Sequence, residues 1–355
     1  VFPTFAVGGA QLRFAAIANH LGPALRHIVV ALDGRLGARD KLDPGLHVSF
    51  PDPGPVRGPA GEFRRARRFL RHTRADLMIT SNWGAMDWAA ACRLNALRHI
   101  HTEDGFGPAE QDRQLTRRVL ARRLVLRGSQ VVLPSRTLLR IATERWRLPP
   151  ANLHHIPNGI DIARFAAAAP AALPPGDGPV VGTIAVLRPE KNLARLLRAF
   201  ARMRPRVAAR LVIVGDGPER AALVALAASL GLGDAVHFMG HSDGAPHWLA
   251  SFDIFGLTSD TEQMPLSLLE AAAAGLPVVS TDVGDVRTML AAENARFVVP
   301  RDDAALAEAM TALLADPALA RAVGAANAAH AAAGFDQAAM FAAWEKLLRK
   351  QGLLF

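Results

Sequence analysis

Residues 166–193 read Ala-Ala-Ala-Ala-Pro-Ala-Ala-Leu-Pro-Pro-Gly-Asp-Gly-Pro-Val-Val-Gly-Thr-Ile-Ala-Val-Leu-Arg-Pro-Glu-Lys-Asn-Leu. The stretch from Ala166 to Pro179 is rich in Ala, Pro and Gly and lacks periodic apolar spacing, which predicts a linker. From Val180 to Val186 an apolar run of strand length follows, Pro189 marks a turn, and Leu193 to Met203 carries apolar residues at helical spacing. Strand, turn and helix thus begin afresh after the linker.

The same grammar extends in both directions. Towards the C-terminus, strands are predicted at Leu211 to Val214, Val236 to Met239, Asp253 to Leu257, Pro277 to Thr281 and Phe297 to Val299. Helices between them are clearest at Glu219 to Leu230, Leu266 to Ala274 and Asp303 to Leu314. Towards the N-terminus, Val1 to Val7 reads as a strand cut at its start, Gly8-Gly9 as a turn, Gln11 to Leu21 as a helix and Ile28 to Leu32 as a strand. Further strands are expected at Asp76 to Thr80, His99 to Thr102, Val131 to Pro134 and Leu153 to Pro157, separated by helices. Continuous apolar strands alternating with helices predict parallel sheets covered on both faces. The expected fold class is therefore α/β, with two doubly wound Rossmann-like domains facing a cleft at their strand carboxyl ends. Its expected divisions are residues 1–165, a linker over 166–179, a second domain over 180–335, and a C-terminal helix over 336–355 that crosses back to the first domain.

Composition narrows the class. The 355 residues are 50% hydrophobic and 21% charged, which excludes disordered and fibrous chains. The single cysteine, Cys92, excludes an internal disulfide and a cysteine-based metal cluster, so a cytoplasmic, reducing environment is expected. No run approaches the 18 apolar residues of a membrane span. Charge is uneven: residues 1–165 hold 25 basic against 13 acidic side chains, and residues 166–355 hold 16 against 19. The excess gathers in Arg64 to Arg74 and in Arg117, Arg118, Arg122, Arg123 and Arg127, runs suited to nucleic acid, an anionic membrane or water. Nucleic acid is disfavoured, because the chain has no tyrosine, only 6% aromatic residues and no aromatic-interleaved basic motif.

Several turns carry residue types suited to a phosphorylated, hydroxyl-rich ligand. Gly8-Gly9 lets a phosphate approach backbone amides at a helix start, or simply makes a tight turn. Arg188 and Lys191 lie at the end of a strand, where two cations suit a diphosphate, or pair with Glu190 on the surface. Val214-Gly215-Asp216-Gly217 makes another strand-to-helix turn. Glu262 precedes, and Glu270 lies within, a helix that Pro265 and Leu266 begin, so two carboxylates frame a helix N-terminus.

Read together, Glu262 to Glu270, the following Ala-Ala-Gly-Leu-Pro-Val-Val, Gly8-Gly9-Ala10, Pro157-Asn158-Gly159-Ile160-Asp161, Arg188-Pro189-Glu190-Lys191-Asn192 and Val214 to Gly217 resemble the retaining family-4 glycosyltransferases of GT-B fold. The resemblance covers essentially the whole chain. It implies a retaining glycosyltransferase, in cell-surface polysaccharide or glycolipid biosynthesis, with a UDP- or GDP-type sugar as donor substrate and neither cofactor nor metal. Glu270 would hold the ribose hydroxyls, with Leu266 and Gly215 also lining the nucleotide site. Glu262 would lie against the sugar, and Lys191 with Arg188 would neutralise the diphosphate. Gly8 and Gly9 would offer amides to the phosphates, and His101, at the end of a strand, would sit near the acceptor. Two positions depart from the family pattern: Ala185-Val186-Leu187 stands where many members have Gly-Arg-Leu, which makes Arg188 the candidate replacement, and Gln263 stands where glycine is common. A glycan or lipid-linked acceptor and a peripheral contact between the basic N-terminal domain and the anionic inner leaflet are further expectations. A sugar-nucleotide epimerase of the same architecture and a basic membrane- or nucleic-acid-binding module are the alternative classes.

Overall fold

The computed structural model describes residues 1–58, 60–106, 110 and 113–354. It divides into two compact units, Val1–Gly159 with Ala338–Phe355, and Ile160–Gln337.

The second unit holds six parallel strands, β7 (Val180–Ile184), β8 (Arg210–Val214), β9 (Val236–Gly240), β10 (Ile254–Leu257), β11 (Val278–Thr281) and β12 (Val298–Val299), in the order β12-β11-β10-β7-β8-β9. Alternation along the strands separates two cores. Val181, Leu211, Ile213, Ile254 and Val279 face one layer, with helices Leu193–Met203 and Asp303–Ala315. Val180, Val212, Val214, Phe255, Leu257 and Val278 face the other, with helix Leu266–Ala273. Both faces are thus covered, as continuous apolar strands require. The order reverses between β7 and β10, the switch point of a doubly wound sheet.

The first unit holds a pair, β1 (Arg26–Ile28) and β2 (His47–Ser49), and a sheet in the order β3 (Leu77–Ser81), β4 (Arg98–Thr102), β5 (Gln130–Leu133) and β6 (Leu153–His155), all parallel. The strand expected over Val1 to Val7 shrinks to Phe2, which bridges to Ala31, because Pro3 has no amide with which to continue a ladder. Helix Gln337–Lys350 lays Met340, Trp344, Leu347 and Leu348 against Ile17, Ile100, Val132 and Ile156 of this unit.

The expected boundary at residue 165 moves to 159. Ile160 and Phe165 are buried in the second unit's core, so helix Ile162–Ala166 belongs there. The stretch expected as a linker is likewise strapped to that unit, through Ala171 N donating to His247 O and Leu173 packing on the core. The strand expected from Ile28 to Leu32 pairs as β1 only to Ile28, and helix Pro317–Gly334 was not singled out in the sequence. Among the described residues no helix is long and apolar enough to cross a membrane.

Candidate functional site

Two loops leave the C-terminal ends of β7 and β10, on either side of the switch point. In the first, Pro189–Lys191 makes a short helical turn and Asn192, at φ 43°, caps helix Leu193–Met203 by accepting from Arg195 N at 3.2 Å. The second runs from Thr258 to Pro265. Backbone and side chains stitch them together. Asp260 N donates to Glu190 O at 2.9 Å, Asn192 Nδ2 to Asp260 Oδ2 at 3.0 Å, and Thr258 Oγ1 to Asn192 O at 3.1 Å. Arg195 pairs with Asp260 Oδ1 at 2.8 Å and donates to Thr258 O at 2.9 Å.

On this frame Lys191 Nζ donates to Glu262 Oε1 at 2.5 Å, and Ser259 Oγ donates to the same oxygen at 2.7 Å. Glu262 Oε2 takes no hydrogen bond among the described residues. The Glu262 side chain is 10% exposed and that of Lys191 26%, so the pair is shielded but reachable. Behind it, Gly284 lies at φ +56°, and a Cβ there would stand 2.2 Å from Glu262 O. Arg188 projects outward, its side chain 54% exposed and 4.0 Å from Glu190 Oε1. Val186, where the family arginine is expected, is also exposed.

Helix Leu266–Ala273 follows directly, with Leu266 half-buried on the core and no side chain capping its first amides. Glu270 is half-buried one turn further on. Burial pushes its carboxyl up to about 7, against the opposing pull of Arg164, and it has no hydrogen-bond partner among the described residues. Gly215 closes the frame from the end of β8. At φ +135° its Cβ position would lie 1.9 Å from Ala185 O, so only glycine lets this turn press on the first loop. The geometry therefore gathers Glu262, Lys191, Arg188, Glu270, Leu266 and Gly215 in the second unit. Asn192, Arg195, Ser259 and Asp260 were not singled out as site residues; the only signal for them was an Asn at a predicted helix start.

Gly8, Gly9 and His101 lie in the first unit. Gly8 is extended and precedes helix Gly9–Leu21, whose first amides have no side-chain cap. His101, in β4, is fully buried. Thr80 Oγ1 bridges His101 Nδ1 and His99 Nε2, at 2.8 Å each, and His99 Nδ1 meets Ser129 Oγ at 2.7 Å. Burial first, and His101 beside it second, lower the pKa of His99 to about 3, so His99 is neutral. His101 Nε2 has no hydrogen bond among the described residues and lies 3.7 Å from Glu103 Oε2.

That glutamate leads to Arg122, which is also fully buried. Arg122 Nε donates to Glu103 Oε2 at 3.0 Å, and its two terminal nitrogens donate to Glu110 at 3.2 Å. Burial acts to raise Glu110, but the hydrogen bonds from Arg122 and Arg118 outweigh it and hold the carboxyl below its usual range. The Arg122 guanidinium also lies 5.0 to 5.2 Å from the ring centres of Trp83, Phe106 and Trp146. Arg122, and likewise Arg65 paired with Glu62, therefore drop out of the basic runs that were expected to face outward.

Comparison with known proteins agrees with this architecture. Residues 7–164 match the model of glycosyltransferase family 4, and residues 167–330 match that of glycosyl transferases group 1. An exopolysaccharide phosphotransferase of Streptomyces coelicolor is 33% identical over 265 residues, 73% of this chain and 27% of that protein. A GDP-mannose-dependent phosphatidylinositol monomannoside mannosyltransferase of Mycobacterium tuberculosis is 34% identical over 258 residues, 67% of this chain and 65% of that protein. The chain spans between about a quarter and a half of the first curated relatives it matches. The crystal structure of Anabaena HepE in complex with UDP superposes with a TM-score of 0.80 at 18% identity, over 98% of both chains, and shows the same fold. With both halves matched by the two models and the switch-point loops built as described, the chain belongs to the family-4 glycosyltransferases of GT-B fold.

Proposed function

We propose that the protein is a retaining glycosyltransferase that moves a sugar from a UDP- or GDP-type donor to a hydroxyl of a glycan or lipid-linked acceptor, in cell-surface polysaccharide or glycolipid assembly. The observation that carries this reading is the Lys191–Glu262 pair at the β7/β10 switch point, four residues before Leu266 and eight before Glu270. A carboxylate with one oxygen tied to a cation and a hydroxyl, and the other open, suits a centre that gains positive charge as a glycosidic bond breaks. The name of the mannosyltransferase relative supports a nucleotide-sugar donor and a lipid-linked acceptor, and that of the exopolysaccharide relative a polysaccharide setting.

In this mechanism the bond between the anomeric carbon and the diphosphate breaks, and the electron pair leaves with the phosphate oxygen. Lys191 and the exposed Arg188 stabilise that charge. The acceptor hydroxyl attacks from the face being vacated, and its proton passes to the departing phosphate oxygen. Glu262 stabilises the oxocarbenium-like centre, and Glu270 accepts hydrogen bonds from the ribose hydroxyls. Gly8-Gly9 is assigned to the phosphates by resemblance; the resemblance also assigns His101 to the acceptor side, where its full burial against Thr80 and Glu103 lets it act only through its neighbours. The basic first unit is assigned a peripheral contact with an anionic leaflet on the cytoplasmic side.

The test is a screen of UDP- and GDP-sugars for released nucleoside diphosphate, with and without a membrane extract. Acceptor-dependent release forming a glycoside is expected, with Glu262→Gln lowering kcat and Glu270→Ala mainly weakening nucleotide binding. Conversion of the sugar without a new glycoside would make the protein an epimerase, and unchanged turnover in Glu262→Gln would remove that residue from the chemistry.

A further inference from the structure

Helix Thr116–Val125 is amphipathic in the reverse of the usual sense. At 3.6 residues per turn, Arg122 sits at the middle of the inward face, and there it is fully buried, ion-paired to Glu103 and Glu110 and ringed by Trp83, Phe106 and Trp146. Leu120 and Leu124, one turn apart, occupy the outward face and are 53% and 58% exposed. Arg117 and Arg123 flank them on either side, both exposed, and exposed Arg127 follows the helix. Leu94, 66% exposed, ends helix Met86–Leu94, and its neighbour Arg93 donates to Leu124 O, which joins that helix end to this one. Three of the six exposed large hydrophobic side chains among the described residues lie here.

The other basic helix, Gly61–His72, is built differently. Its Ala66 is buried and Phe63, Phe69 and Leu70 pack on the core with Trp88 and Met78, so its outward face is polar: Arg64, Arg67, Arg68, Arg71 and His72. That is an ordinary solvated helix with its apolar side used by the fold. Leucines facing water between arginines, on a helix whose core side is filled by a satisfied cation, are unexplained by folding alone.

We infer that Leu94, Leu120 and Leu124, with Arg93, Arg117, Arg123 and Arg127 around them, form a docking surface for an anionic lipid bilayer. The leucines enter the boundary between headgroups and acyl chains while the arginines stay at the phosphate level, the arrangement of an interfacial helix. Charge complementarity selects an anionic bilayer over a neutral one: each arginine near such a surface raises binding by about fivefold at physiological salt, and the effect fades as salt screens it. This rests on the membrane contact proposed above and names the surface that makes it.

The experiment is co-sedimentation of the full chain with vesicles of phosphatidylglycerol mixed into phosphatidylcholine, and of phosphatidylcholine alone, at low and high salt. Binding to the anionic vesicles only, weakened by salt, is expected. Leu120→Ser with Leu124→Ser should lower it at least tenfold, with unchanged thermal melting and unchanged nucleotide binding, whereas replacing Arg64, Arg67, Arg68 and Arg71 by Ala should lower it far less. A Leu120→Trp variant should show blue-shifted emission on anionic vesicles. If the wild type binds but the double leucine variant binds equally well, the membrane contact stands and this surface is wrong. If the wild type binds no anionic vesicle at low salt, both fall. Concentration-dependent self-association that the leucine changes abolish, without vesicle binding, would assign the patch to a second copy of the chain and overturn the proposal.

Discussion

Replacing Glu270 by Gln should make the protein more stable and a worse binder of nucleotide. The carboxyl is half-buried without a hydrogen-bond partner among the described residues, and burial raises it from 4.5 to about 7. Well below pH 4.5 it is protonated in both folded and unfolded chains and has no effect on the pH dependence. Between 4.5 and 7 the folded chain holds a proton that the unfolded chain releases, so stability falls as pH rises, and beyond 7 the loss is constant. At pH 8 that displacement amounts to about 3 kcal/mol. The neutral amide has the same shape and avoids the cost, so Glu270→Gln should exceed the parent by about 2 to 3 kcal/mol at pH 8, with the advantage vanishing near pH 4.5. For a unit of this size that is a rise of roughly 5 to 10 °C in Tm. If Glu270 holds the ribose as proposed, the same change removes a charged acceptor from it and should weaken nucleoside diphosphate binding about 10- to 100-fold. Thermal and urea melts at pH 5 and pH 8, with calorimetric titration of UDP and GDP, read both effects. A variant no more stable than the parent at pH 8, or one whose gain is equal at both pH values, would refute the assignment of an unpaired, desolvated carboxyl.

Lys191→Ala should cost about 2 to 4 kcal/mol in kcat/KM measured with the preferred donor, if Lys191 meets the departing diphosphate as proposed; wild-type turnover would return Lys191 to a structural role. Gly284→Ala should cost about 1 to 3 kcal/mol in urea unfolding and reduce turnover as well, since its Cβ would collide with Glu262 O; retained activity would show that the Glu262 loop can shift without harm. Arg122→Met leaves Glu103 and Glu110 buried without their shared cation and should destabilise the first unit by about 3 to 5 kcal/mol, read by differential scanning calorimetry.

The strand and helix alternation was legible because parallel strands buried on both faces are written as continuous apolar runs, and nearly every one predicted appears within a few residues. The boundary was less so. Ile160 and Phe165 are apolar residues in a short helix, and nothing local states which of two cores receives them. Phe2 retains one bridge of an expected strand because Pro3 ends its ladder. The motif places Glu262 before and Glu270 within one helix, but the pairing of Lys191 with Glu262, across 71 residues, depends on two loops meeting at the switch point. Arg122 was misread with its basic neighbours because its partners Glu103 and Glu110 lie in other segments, and periodicity treats every arginine as an outward residue.

The stitched loops of the second unit have a thermodynamic consequence. Asn192, Arg195, Thr258 and Asp260 fix the backbone around Lys191 and Glu262 by hydrogen bonds that belong to the fold. The ordering of these segments therefore takes place when the chain folds and not when a donor arrives. Nucleotide binding to this unit should show a small heat-capacity change, set by the ligand's own surface, with no added signature of coupled folding. Amides of residues 190–195 and 258–262 should be slow to exchange with solvent even before any ligand is added, as in a regular element and unlike an ordinary connecting loop.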